Sequence, residues 1–180
     1  MKSQKTQFVI DNDRVKMKNI LDAMITANNL DICTAFIDAF GIAAVGKAAD
    51  NGVLRLLIGY ELTDMPIAQD IVTFQMAEEW QASGVDPYER QSSDEFVTDA
   101  VRFLKSPNFK VGKTSLRTHS KLYVTEHYGV VGSSNLTRAG IEGQRELNLL
   151  QYEPEAVARL REWFNKLWYE AKENERLSFK

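Results

Sequence analysis

The sequence predicts an α/β fold: a mixed, mostly buried sheet with helices on both faces. Two observations predict it. Leu30–Phe36 and Val53–Tyr60 are short and almost continuously apolar, and a small-residue helical stretch separates them, which is the pattern of a βαβ unit whose strands are covered on both sides. A run of further short apolar segments then follows before a final amphipathic helix. At 180 residues the chain is long enough for one domain with a sizeable core, so 1–180 is read as a single unit.

The elements follow in order. The first helix is expected from Asp13 to about Ala27, because Val15, Met17, Ile20, Leu21, Met24 and Ile25 recur near helical spacing and Asn28-Asn29 makes a stop. Leu30–Phe36 is the first strand, with Asp31 its one charged residue. Phe40–Ala49 is the crossover helix, ended by Asp50-Asn51-Gly52, and its crossover should be right-handed. Pro66 opens another helix carrying Ile67, Ile71, Phe74, Met76 and Trp80. Residues 81–93 read as an exposed loop, rich in Ser, Gly, Asp and Pro. Ser92 and Glu95 have capping-box spacing for a helix to about Leu104. Strands are expected at 109–116, 120–126, 129–133 and 146–152. Pro154 starts the last helix, whose Val157, Leu160, Phe164, Leu167, Trp168 and Ala171 share a face, and Trp163 with Trp168 reads as core or interface.

Hydrophobic content of 44% with 26% charged residues is that of an ordinary water-soluble chain, and no apolar run approaches a membrane span. The first residues lack a signal core, and Cys33, the single cysteine, sits in an apolar run; both fit a cytoplasmic protein. The net charge of −3 argues against a surface coated for nucleic acid. Locally the picture differs. Between Val101 and Thr125 there is no acid, while Arg102, Lys105, Lys110, Lys113, Arg117 and Lys121 are basic, so a stripe for phosphate is available.

The chemistry concentrates between His119 and Glu146. His119 and Lys121, two apart in a strand, would share a face and set an imidazole beside a fixed positive charge. Gly132-Ser133-Ser134-Asn135 follows, then Glu146. Singly these are ordinary: His-x-Lys suits a solvated face, and Gly-Ser-Ser-Asn suits a turn. Together, in this order, they resemble the phospholipase D superfamily, whose motif is His-x-Lys, four residues, Asp, then Gly-Ser-x-Asn and a downstream Glu. Glu126 stands where that motif has Asp. The stretch from Gly129 to Leu150, with the Trp-containing helix after it, is similar to single-motif members fused to bacterial helicases or found in restriction endonucleases, and the upstream strand–helix–strand is similar too.

The resemblance implies a phospholipase D-like sandwich and a metal-independent phosphodiesterase working through a phosphohistidine. His119 would be the nucleophile, Lys121, Ser133 and Asn135 would bind phosphate, and Glu146 would bond the other imidazole nitrogen to fix its tautomer. Glu126 would be structural. No cofactor or metal is expected, and His119, His127 and Cys33 cannot assemble a zinc-type cluster; His127 reads as a surface residue in a hairpin turn. One motif per chain against two imidazoles per reaction implies a homodimer sharing one site. DNA or another nucleic acid is the expected partner, with no membrane. The other reading is a non-catalytic DNA-binding or dimerisation module of a helicase or restriction system. The last residues end without an obvious stop, so a piece of such a longer polypeptide is also entertained.

Overall fold

A computed structural model describes residues 7–59, 96, 98–114 and 118–173. Among these, seven strands form one sheet: β1 (Gln7–Ile10), β2 (Asn29–Thr34), β3 (Val53–Ile58), β4 (Phe109–Lys113), β5 (Lys121–Val124), β6 (Gly129–Gly132) and β7 (Asn148–Gln151), in the order β1-β7-β6-β5-β2-β3-β4. Strands β2, β3 and β4 are parallel; β5 joins β2 antiparallel, and β6, β7 and β1 continue antiparallel. The mixed α/β sheet is therefore as expected. Strand β1 was not anticipated: its four residues are too few to carry a period, and pairing with β7 across the length of the chain defines it.

Helices cover both faces. On one side α1 (Met17–Met24), α2 (Ala39–Gly46), α3 (Ala48–Asn51) and a helix over residues 98–104 bury Leu21, Ile42, Val45 and Phe103 against Leu30, Ile32, Leu54, Leu56 and Tyr123. On the other, the C-terminal helix Pro154–Glu173 lays Val157, Phe164, Trp168 and Ala171 on Cys33, Leu57, Leu122 and Val124. The alternation of cores along β2 explains its unbroken apolar run. Trp168 belongs to this core, whereas Trp163 is exposed.

Asp31, the exception in β2, faces Arg55 across the β2–β3 register. Arg55 Nε and Nη2 each donate to an Asp31 carboxylate oxygen at 2.6 Å, and Nη2 also donates to Asn165 Oδ1 at 2.9 Å. The guanidinium lies 4.9 Å from the Phe164 ring centroid and 5.5 Å from that of Trp168. A charge in an apolar strand is thus paired, stacked and used to seat the C-terminal helix.

Helix α1 is shorter than its periodicity suggests. Asn12 adopts φ 57°, and its Oδ1 accepts from Met17 N at 2.7 Å, which fixes where the helix can begin. The expected helix at Pro66, the loop at 81–93 and the Ser92–Glu95 box lie outside the described residues.

Asp38 ties the start of α2 to the motif loop. Its Oδ1 accepts from Gly41 N at 2.6 Å and its Oδ2 from Arg138 N at 2.7 Å. Asp38→Ala removes a helix cap and a charge-assisted bond together, so a stability loss on the order of 2–3 kcal/mol is expected in urea unfolding. A loss under about 0.5 kcal/mol would show that neither bond matters to the fold.

Candidate active site

Because β2, β3 and β4 are parallel, their C-terminal ends lie together, and antiparallel β5 begins at that same end. Thr34–Phe36, Gly59, Thr114, His119, Lys121, Ser133, Asn135 and Glu146 all stand there. The place is where the sheet changes from parallel to antiparallel.

The approach to β5 is close. Thr118 N donates to Gly59 O at 2.8 Å, and a Cβ at Gly59 would stand 2.0 Å from Thr118 O, so only glycine lets the segment before His119 cross β3 here. His119 is exposed, while Lys121 is only 4% exposed. The Lys121 ammonium donates to His119 O at 2.8 Å and stands 2.9 Å from Nδ1 and 3.3 Å from Nε2 of the imidazole. The side-by-side placement expected from the i, i+2 spacing is present.

Lys121 sits opposite Gly132 in the β5–β6 register, and Gly132 opposite Asn148. A Cβ at Gly132 would come within 2.3 Å of Asn148 Oδ1 and 2.4 Å of Leu147 O, so glycine is required by the close passage of the chain entering β7. Ser133 N donates to Leu147 O at 3.2 Å, Leu147 N donates to Ser133 Oγ at 3.0 Å, and the Ser133 hydroxyl donates to Glu146 Oε2. Behind them Ser134 N donates to Asn148 Oδ1 at 3.2 Å, Asn148 Nδ2 to Ser134 Oγ at 2.8 Å, and Tyr123 Oη to Ser134 O at 3.0 Å. This buried set fixes the motif loop from below.

Asn135 is held from β2. Its Oδ1 accepts from Phe36 N at 3.3 Å and lies 3.4 Å from Thr34 Oγ1, whose nearer acceptor is Phe36 O at 2.9 Å, which aims the Nδ2 donor away from β2. Thr34 Oγ1 also accepts from Leu136 N at 3.1 Å. Thr34, Phe36 and Asn148 are supports that sequence reasoning missed; the bonds of Thr34 and Phe36 span about a hundred residues and have no local signature, and that of Asn148 to Ser134 depends on the β6–β7 register.

Glu146 does not bond His119 as expected. Its carboxylate, two positions before β7, is held by Ser133, one position after β6, and the imidazole rests on Lys121 instead. Glu126 lies at the far end of β5, where it accepts from Asn29 Nδ2 at the start of β2. His127 is exposed in the turn beyond Thr125, also at that far end. The basic run is divided: Arg102 lies on a helix and pairs with Asp99, Lys110 is on β4 beside Arg55, and among the described residues of the run Lys113 and Lys121 reach the site end. Arg117 lies outside the described residues. Among those residues no three His, Cys, Asp or Glu side chains are grouped to hold a metal ion, and no helix is long and apolar enough to cross a membrane.

Burial lowers the Lys121 pKa below the ordinary lysine range, while the charge of Glu146 pulls it upward. Removing that charge must lower it further. In a pH titration of the lysine side chains by NMR, Lys121 should deprotonate first in the wild type and earlier still in Glu146→Gln; an unchanged or raised midpoint in the variant would contradict the coupling. Burial also pushes the Cys33 thiol up to about 12, so it is inert packing.

What can such an arrangement do? It offers an exposed imidazole, an ammonium beside it, a hydroxyl and an amide donor, which together suit a tetrahedral anion with a nucleophile alongside. The family described as cardiolipin synthase, PLD-like domain, matches residues 20–168. No curated protein matches the chain in sequence. Among solved structures, the phospholipase D family member Nuc from Salmonella typhimurium superimposes with a TM-score of 0.63 at 11% identity, covering 96% of this chain and 98% of that one. NucT from Helicobacter pylori gives 0.59 at 15% identity, over 96% and 97% of the two chains. TrmBL2, an archaeal chromatin protein described as binding DNA in a novel mode, gives 0.53 at 13% identity, over 95% of this chain and 55% of that one. At such identities the likeness is one of fold.

Proposed function

Since this chain belongs to the PLD-like domain family, we propose that it is a metal-independent phosphodiesterase, acting as a DNA nuclease through a phosphohistidine on His119. The observation that carries the reading is the contact of Lys121 Nζ with the exposed His119 ring at the mouth of the sheet, with Ser133 and Asn135 from the neighbouring strand end. Lys121, Ser133 and Asn135 neutralise the non-bridging oxygens. A lone pair of neutral His119 attacks phosphorus, the P–O bond to the leaving oxygen breaks, and that oxygen takes a proton from a second imidazole. Water then attacks the phosphohistidine, frees the imidazole and leaves a phosphate monoester.

The second imidazole supports a shared site. The chain has two histidines, and His127 sits at the opposite end of β5 from His119. A second copy, placing its own His119 across a twofold axis, completes the pair. Glu146, held by Ser133 in one chain, then stands ready for an imidazole brought by the other. The similarity of the motif region to helicase-fused and restriction-type members favours DNA as substrate and makes such a context the setting we propose.

A second reading draws on the likeness to TrmBL2 and on Glu146 being engaged away from His119: a DNA-binding or dimerisation module without turnover. Assay of the purified chain on DNA and on bis(p-nitrophenyl) phosphate with EDTA present separates the two. Hydrolysis in EDTA is expected, and mixing wild type with excess His119→Ala should depress activity below simple dilution. A chain that binds DNA without cleaving it supports the second reading; a turning-over monomer contradicts the shared site.

A further inference from the structure

Three residues beyond Asn135, Arg138 is anchored by its backbone and exposed at its side chain. Its N–H donates to Asp38 Oδ2 at 2.7 Å, and its guanidinium lies 5.3 Å from the Phe40 ring centroid and 5.8 Å from that of Phe96. Those two rings meet edge to face at 4.9 Å. Phe40 lies in the first turn of α2, which leaves the sheet from the C-terminal end of β2, so the platform belongs to the same end of the sheet as His119. Three residues span at most about 11 Å, which keeps Arg138 close to Asn135.

Two cations meet here and they differ. Lys18, near enough to Arg138 for their charges to repel, is bound to Glu142 Oε1 at 2.7 Å. Among the described residues no carboxylate lies within ion-pairing distance of the Arg138 guanidinium. A guanidinium held near aromatic rings rather than a carboxylate keeps its N–H donors unspent, which suits capture of a phosphate at little entropic cost. The geometry points to Arg138, seated on Phe40 and Phe96, as a second phosphate contact that makes the site select a polynucleotide strand over an isolated phosphodiester. The inference rests on the phosphodiesterase reading and supplies its substrate selectivity.

The test uses the whole chain and two variants. Arg138→Met keeps an apolar stem over the rings and removes the charge; Arg138→Lys keeps the charge. Binding of a fluorescein-labelled single strand is followed by anisotropy across a salt series, and kcat/KM is compared between that strand and bis(p-nitrophenyl) phosphate. Arg138→Met should bind about tenfold more weakly at low salt, with the slope of log K against log salt reduced by about 0.7. Its kcat/KM should fall at least about fivefold more for the strand than for the small diester. Arg138→Lys should keep the wild-type slope. Wild-type affinity and slope in Arg138→Met would overturn the contact while leaving the His119 reading intact, and so would an equal loss of slope in both variants. A wild-type chain that does not bind the strand would overturn the polynucleotide reading itself.

Discussion

His119→Ala should abolish hydrolysis, with a loss of at least about a thousandfold, and should leave the fold untouched. The loss follows from removing the atom that bonds phosphorus, for which no neighbour substitutes: Lys121 is charged and buried, and His127 lies at the other end of β5. The fold is spared because the ring is exposed, so a stability change within about 0.5 kcal/mol is expected in urea unfolding. Activity near the wild-type level in this variant would remove His119 from the chemistry.

Lys121→Met and Asn135→Ala should each cost about 2–4 kcal/mol of transition-state stabilisation, roughly thirty- to a thousandfold in kcat. The two should differ in stability. Lys121→Met exchanges a buried ammonium, disfavoured by its surroundings, for an apolar side chain of similar length, and should not destabilise. Asn135→Ala deletes the oxygen that accepts from Phe36 N and lies beside Thr34 Oγ1, and should lower stability by about 1–2 kcal/mol as well. Equal stability losses in the two variants would show that Lys121 is a structural residue.

The central strands were legible because burial on both faces writes a continuous apolar run, and the C-terminal helix because it buries a single face. Strand β1 and the true start of α1 were not, since one depends on pairing with β7 and the other on Asn12 at positive φ. At the site, the His119–Lys121 neighbourhood is present, but His119 lies just before β5 and the contact is made by the lysine reaching back to the ring. The expected Glu146–imidazole bond is absent within one chain, because Ser133 is nearer along the paired strand ends. The anchors of Asn135 were invisible for a different reason: Thr34 and Phe36 end a strand whose sequence speaks only of burial, and topology alone brings them to the motif loop. The described members of the basic stripe part onto a helix, a turn and two strands, with Lys113 and Lys121 at the site end.

The claim on which the account turns is that His119 becomes covalently attached to phosphorus. Acid quenching destroys phosphohistidine, so the reaction should be stopped in alkaline denaturant during turnover of a slow phosphodiester and the peptides mapped by mass spectrometry. A phosphoryl or nucleotidyl adduct is expected on the peptide carrying His119, formed in EDTA and missing from His119→Ala. Turnover with no adduct at any time, lost in EDTA and restored by magnesium, would contradict it.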